Sequence, residues 1–561
     1  MSGFPKGLKS TEFLCNSRVK RLAAKIRLLQ IVGFSTTIIF LLSLPVANAY
    51  AVEAQALRNQ LDEISAAASN EISLATLKRF YSARDYQPVW VQSGVTSPEL
   101  DVALAFIAMA ENEGLNSNDY QLERLLQLRK DKPAHVPLEL ELRTTQALLM
   151  LARDLRSGRL LASAADPDWH ISQHVFDPVD FLQEAITSGN LQQSLNNLPP
   201  KTPNYQLLKQ ALANYRSLIA RQVTWTKIPD VPSIRPNTQH VVIPLIRARI
   251  AQAYATHGKA EYKIIPSHSE KYDDELVNAI KVFQRQHELD ADGIIGKNTR
   301  FALNKTPAQK IQQLRINMER LRWLPRDLGD RYVLVDIAGF HLTTVENGKQ
   351  VLDMRIIVGR DYRSTPSFSS CISHMILNPF WNIPDSIARK DLLPKQQNDP
   401  SYFTSQGIKV YSHYDYSSEA LDPDLIDWRA IKKNFPYALR QDPGKKNALG
   451  TIKFMFPNPF SIYFHDTPSK SLFQKDIRAF SSGCIRLEKP IQLAGFALND
   501  PNAEAGLISK IESGKTMTVN LVKCLPVYLV YLTTRVNDQN NIHFSSDTYG
   551  RDARALGYAR W

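Results

Sequence analysis

At Arg331 the hydrophobic pattern of this chain changes period, and that change divides what the chain can become. Before it, apolar residues recur at helical spacing. After it, "RYVLVDIAGFHLTTVENGKQVLDMRIIVG" alternates apolar and polar residues on both sides of Asn347-Gly348, the strongest short signal for a β-hairpin. Strand-like stretches recur at "SHMILNPFWNIP", "TIKFMF", "SIYFH" and "VYLVYLTTRV". A predominantly β domain is therefore expected over 331–535, behind a helical front. A length of 561 residues agrees, because one core rarely grows past roughly 250–300 residues.

The front reads as a helical domain over 50–235. In "SPELDVALAFIAMAENEGL", Ser97 is placed to cap a helix with Pro98 in its first turn, and Gly114 to end it. "LELELRTTQALLMLARDLRSG" repeats the pattern and stops at Gly158. His170 and His174 have the i, i+4 spacing of zinc ligands, but no glutamate follows His170 and no third ligand is evident, so packing or surface histidines are expected. A smaller unit spans 236–305, with Leu276, Ile280 and Phe283 on one helical face and Gly293 and Gly296 breaking the chain before a second helix. Its "GIIGKNT" fails as a phosphate loop, because Asn298 stands where Ser or Thr should follow the lysine. Residues 306–330 read as a connecting helix and 536–561 as a C-terminal extension. Within the β domain, residues 385–447 form an insertion rich in Lys, Asp, Tyr and Pro, of the kind that serves as a lid. Its Tyr411, Trp428 and Tyr437 are expected to form a small core of their own rather than a stacking platform.

The formal charge of +13 is concentrated at the front, where Lys6, Lys9, Arg18, Lys20, Arg21, Lys25 and Arg27 face only Glu12. No basic run interleaved with aromatics exists, so nucleic acid is not an expected partner. The basic stretch precedes an apolar run from Leu28 to Leu44 and an Ala47-Asn48-Ala49 box, which predicts an export signal over 1–49, cleaved or retained as a membrane anchor. Export leaves Cys371, Cys484 and Cys524. An oxidising compartment would permit a bridge between Cys371 and Cys524, but their strand-like apolar surroundings predict two buried thiols instead.

Cys484 is different. It sits in "FSSGCIRLEKP" beside Gly483, which leaves room for a substrate, and near Arg486, which favours thiolate. A cysteine nucleophile needs a base, and His465 in "SIYFHDTP" ends a strand 19 residues earlier. His341 and His374 lie within strand-like stretches and read as packing residues.

"HDTP" followed by "SSGCIR" resembles the signature of the YkuD-type L,D-transpeptidases, and "AIKVFQRQHEL" with "DGIIGKNT" resembles the small three-helix peptidoglycan-binding domain. The domain order and the large insertion resemble the YcbB-like branch. The resemblance implies a multidomain α+β protein: a helical scaffold, a peptidoglycan-binding domain and a β-rich catalytic domain with a lid. It implies Cys484 as nucleophile, His465 as general base and acid, and the backbone carbonyl of Asp466 as orienter of the imidazole. Oxyanion donors would be the N–H groups of Gly483 and Cys484, Ser481 would brace the loop, and Arg486 would steady the site or bind a substrate carboxylate. No metal and no cofactor is implied. The implied substrates are peptidoglycan stem peptides on their glycan, joined as 3→3 cross-links in the periplasm of a Gram-negative bacterium, with other cell-wall synthesis proteins as candidate partners and carbapenems as acylating agents. An L,D-carboxypeptidase and a non-catalytic wall-binding scaffold are the alternatives.

Overall fold

The computed structural model describes residues 53–559, apart from 64–70, 132–135, 256–265, 415, 433, 501 and 538–540. The expected export signal lies outside the described residues. Among those described, no helix is long and apolar enough to cross a membrane. The chain divides into two compact units, one holding residues up to Val102 with Arg124–Gln146, the other Ala103–Glu123 with everything from Ala147. In the first, buried Glu141 is the anchor. Its two oxygens accept the backbone N–H groups of Val89 and Trp90, both at 2.7 Å, and the Tyr81 hydroxyl at 2.8 Å.

Helices fill the front of the chain as the periodicity predicts. One runs from Pro98 to Ala108, and Gly114 reverses the chain with φ +75°. Another runs from Val136 to Ser157. At Gly158 (φ +93°) a Cβ would meet the Trp323 ring at 2.5 Å. The small unit is built on α1 (Asp274–Gln286), capped by the Asp273 carboxylate, with Leu276, Ile280 and Phe283 buried, and on α2 (Lys297–Asn304).

The helix α3 (Pro307–Trp323) is entered through a capping box formed by Thr306 and Gln309. It is more than the connector expected from sequence. It is buried nearly all round and carries charge into the interior, where Glu319 accepts from Arg322 at 2.8 Å and Arg320 meets Asp552. The C-terminal segment read as an extension is likewise part of this unit. The Arg551–Ala559 helix packs inside it, Arg551 donates to the Thr365 carbonyl at 2.8 Å, and the Tyr549 hydroxyl donates to the Gly359 carbonyl.

The β domain holds β1 (Arg331–Asp336), β2 (His341–Glu346), β3 (Lys349–Gly359) and β4 (Phe368–Leu377). The insertion sheet takes β5 (Trp381–Ile383), β6 (Ile408–Tyr411) and β7 (Ala438–Gln441). After it come β8 (Ile452–Met455), β9 (Phe464–His465), β10 (Ala479–Ser481), β11 (Ile485–Leu487) and β12 (Met517–Val530). The main sheet runs β10-β3-β11-β9-β8-β4-β12-β1-β2, and β2 pairs again with β3, so it closes into a ring. The β2–β3 turn is Asn347-Gly348, both with positive φ. Inward residues such as Val333, Ile356, Met375, Phe454, Phe464 and Ile485 form the buried core. The insertion has its own sheet, β5-β7-β6, and its own core, in which Trp428 is buried and Tyr437 packs on it, while Tyr411 is buried outside that cluster, edge-on to Tyr416.

The two cysteines expected as buried thiols are a disulfide: Cys371 on β4 and Cys524 on β12 are bonded, with Cα atoms 5.6 Å apart. Cys371 is half-buried and Cys524 exposed, because the alternation places both off the core face. The pairing of β4 with β12 shifts between Asn520 and Leu525, which sets Cys524 beside Cys371. A link between residues 153 apart restricts the unfolded chain strongly. Cys371→Ser is expected to cost about 2–5 kcal/mol in chemical denaturation, and dithiothreitol should cost the wild type as much.

Candidate active site

The ring brings the two ends of the "HDTP…SSGCIR" segment together. β9 and β11 are parallel neighbours, with Phe464 opposite Ile485 and His465 opposite Arg486. His465 and Cys484 therefore line one cavity of about 330 Å³, together with Tyr463, Arg486, Arg360 and Trp381. The insertion supplies another wall through Ser386, Ile387, Asp391 and Leu392.

His465 is buried, and its Nδ1 lies 2.6 Å from the Asp466 carbonyl oxygen. A carbonyl only accepts, so the proton sits on Nδ1 and Nε2 keeps its lone pair. The Asp466 carbonyl is itself fixed, because the Asp466 carboxylate is clamped. It accepts the Thr451 N–H at 2.9 Å, the Thr451 hydroxyl at 3.0 Å and the Lys470 ammonium at 2.6 Å. Gly450 (φ +62°) makes room for that clamp, since a Cβ there would lie 2.3 Å from the carboxylate. Gly450→Ala is expected to push Asp466 aside and slow acylation of Cys484 roughly ten- to a hundredfold, while the Cys484 thiol of the folded protein stays titratable. Single-turnover mass spectrometry and thiol titration check the two halves.

The loop carrying Cys484 is held from both sides. The Ser481 hydroxyl donates to the Cys484 carbonyl at 2.5 Å and accepts the Gly483 N–H at 3.1 Å, so Ser481 braces the loop. The Thr365 hydroxyl donates to the Gly483 carbonyl at 2.8 Å. Gly483 has φ +119°, a conformation that favours glycine. The expected oxyanion pair needs correction here: the Gly483 N–H is already occupied by Ser481, which leaves the Cys484 N–H as the candidate backbone donor.

The electrostatics of the site run against the expected thiolate. Burial raises the Cys484 pKa, only partly offset by the Tyr463 N–H and the Lys453 charge. Burial, then the Arg486 charge, lowers His465 to about 3. Both shifts favour a neutral thiol beside a neutral imidazole, and the sequence carries no sign of the burial that causes them. Arg486 is half-buried, and among the described residues no carboxylate pairs with it.

Sequence reading missed Tyr463 and Lys453. Tyr463 lines the cavity with Cys484, whose thiol donates to the Ser461 carbonyl at 3.8 Å, and burial raises the Tyr463 pKa. Lys453 pairs with His465 across β8 and β9, and its ammonium stands 4.0 Å from the centre of the Tyr463 ring. The period of two in "SIYFH" was the available signal for Tyr463, since it puts that residue on the same face as His465. Of the other histidines, His170 packs on Phe460 with ring centres 4.7 Å apart, and His341 lies 3.3 Å from both Glu288 and Asp353.

Residues 330–519 match the family profile described as "L,D-transpeptidase catalytic domain" (YkuD). Residues 259–303 match a "Putative peptidoglycan binding domain", and 75–212 a "Scaffold domain". The chain thus carries a YkuD-type L,D-transpeptidase catalytic domain and a peptidoglycan-binding domain. A Haemophilus influenzae protein named "Putative L,D-transpeptidase" is 38% identical over 242 residues, which are 43% of this chain and 48% of that protein. The chain thus spans about half the length of that curated relative. Two crystal structures were also found similar. One is an L,D-transpeptidase (residues 123–326) from Xylanimonas cellulosilytica, at 13% identity, 54% of this chain, 100% of that chain and a TM-score of 0.18. The other is from Stackebrandtia nassauensis, at 14% identity, 55% of this chain, 97% of that chain and a TM-score of 0.20. At those scores no shared architecture is read from either.

Proposed function

We propose that this protein is a peptidoglycan L,D-transpeptidase that forms 3→3 cross-links through a thioester on Cys484. The observation that carries the reading is the placement of the half-buried Cys484 and His465 in one cavity, with the His465 Nδ1 proton held by the Asp466 carbonyl. As the Cys484 sulfur attacks the carbonyl at the L-centre of meso-diaminopimelate in a tetrapeptide stem, His465 Nε2 takes the thiol proton. The Cys484 N–H and the Tyr463 hydroxyl are the donors suited to the oxyanion. The imidazolium then protonates the departing D-alanine amine, leaving the thioester. The side-chain amine of a second stem attacks that thioester and loses its proton to His465; the C–S bond breaks, and the imidazolium returns that proton to the departing Cys484 sulfur as the cross-linked product leaves. Arg486, with no carboxylate partner among the described residues, is suited to a substrate carboxylate.

The disulfide supports action in an oxidising compartment, as export to the periplasm requires. The peptidoglycan-binding domain would hold the enzyme on its polymer, where cross-linking serves wall synthesis and cell shape. Incubation of the protein with purified disaccharide tetrapeptides tests the reading by mass. The expected product is a cross-linked dimer with one released D-alanine. Tripeptide alone would make the enzyme an L,D-carboxypeptidase, and unchanged substrate would leave a wall-binding scaffold.

A further inference from the structure

We infer that Arg363 is a positioning residue that couples the seating of the 385–447 insertion to the loop carrying Cys484; the inference deepens the proposed transpeptidase reading. One guanidinium nitrogen of Arg363 donates to the Ser482 hydroxyl at 2.7 Å and also meets the Asp391 carboxylate. Ser482 belongs to the nucleophile loop, and Asp391 to the insertion. The same arginine thus ties the insertion to a residue two positions before the reacting sulfur.

Each partner is rigidly mounted. Asp391 lies in a π-helical turn, Ala388–Leu392, where Pro394 lacks the N–H that an α-helical turn would direct to Lys390. Its neighbours Ala388, Leu392 and Leu393 are buried in the insertion core, so the carboxylate moves only with the insertion. Arg363 closes a short turn after β3, and its N–H donates to the Arg360 carbonyl at 2.9 Å. The backbone is closely stacked there. A Cβ on Gly359 would lie 2.0 Å from the Arg363 carbonyl oxygen and 3.1 Å from the Gly483 Cα. A shift of Arg363 is therefore felt at Gly483 and Cys484. With the insertion seated, Asp391 fixes the guanidinium and so the donor that Ser482 accepts. With it lifted, that donor loses its charged anchor and the loop loses one of its holds.

A double-mutant cycle on the full-length protein tests the coupling. The single variants Asp391→Asn and Ser482→Ala, and their combination, are compared in the wild-type and Arg363→Met backgrounds. Two readouts are used: single-turnover acylation by disaccharide tetrapeptide, and alkylation of Cys484 by iodoacetamide. Asp391→Asn is expected to lower kcat for tetrapeptide roughly tenfold with KM changed much less. Its effect and that of Ser482→Ala should be non-additive in the wild type and additive once Arg363 is Met, since Asp391 and Ser482 communicate through that side chain. Additive effects in both backgrounds, or a rise in KM alone, would overturn the inference. If tetrapeptide does not react with the wild type, the proposed function fails while the alkylation cycle still decides the coupling. Should Arg363→Met fold poorly, Arg363→Gln, which stays polar but is uncharged and too short to join Asp391 to Ser482, takes its place in the cycle.

Discussion

Cys484→Ala is expected to form no cross-link and no acyl adduct, a loss of about 10⁴-fold or more in acylation. Among the described residues no second thiol can take over, because Cys371 and Cys524 are bonded to each other. In the wild type, a carbapenem should add once to the intact mass, and the adduct should map to the peptide containing "SSGCIR". Cys484→Ser should fail nearly as badly. Its hydroxyl holds its proton far more tightly than a thiol, and the base that would remove it, His465, is backed only by a neutral carbonyl rather than a carboxylate. Cross-linking retained in Cys484→Ala would overturn the assignment.

The parts of this molecule that depend on local chemistry were legible in the chain. Asn347-Gly348 specifies a hairpin whatever surrounds it, and Gly114 and Gly158 end their helices through the left-handed backbone that other residues avoid. The segment from His465 to Arg486 could be read because the chemistry needs those residue types in that order. What was not legible depends on pairings distant in sequence. Cys371 and Cys524 look like core residues, since alternation alone does not say which face of a strand is buried; the register shift between β4 and β12 brings them together on the outer side. The occupation of the Gly483 N–H by Ser481 follows from a turn of three residues whose dihedral angles no composition rule supplies. The Asp466 side chain was given no role beside its carbonyl, yet its clamp requires Thr451, Lys470 and a bare Gly450, of which only Lys470 is close in sequence, four residues on. Arg320 and Arg322 lie in the segment read as a connecting helix, and the partners Asp552 and Glu319 explain their burial.

His465→Ala should separate the neutral-pair mechanism from the thiolate–imidazolium pair expected from sequence. With His465 lowered to about 3, the imidazole stays neutral at every pH above that, and Nε2 remains a competent base. Acylation by the wild type should therefore show no inflection near the ordinary imidazole value of about 6.5. With His465 replaced, only the fraction of Cys484 already ionised can attack, and burial makes that fraction smaller than for an ordinary thiol. The rate at pH 7 should fall roughly 10²–10⁴-fold, the worth of a positioned general base. It should then recover about tenfold per pH unit, because each unit raises the thiolate fraction by that factor until the thiol is half ionised. The raised pKa places that plateau above the ordinary thiol range, so recovery should still be climbing at pH 9. Single-turnover acylation read by intact mass from pH 5 to 10 measures both profiles. A wild-type inflection near 6.5, or a His465→Ala profile that is flat from pH 7 upward, would mean that the sulfur is already ionised in the folded enzyme and that the imidazole serves another step.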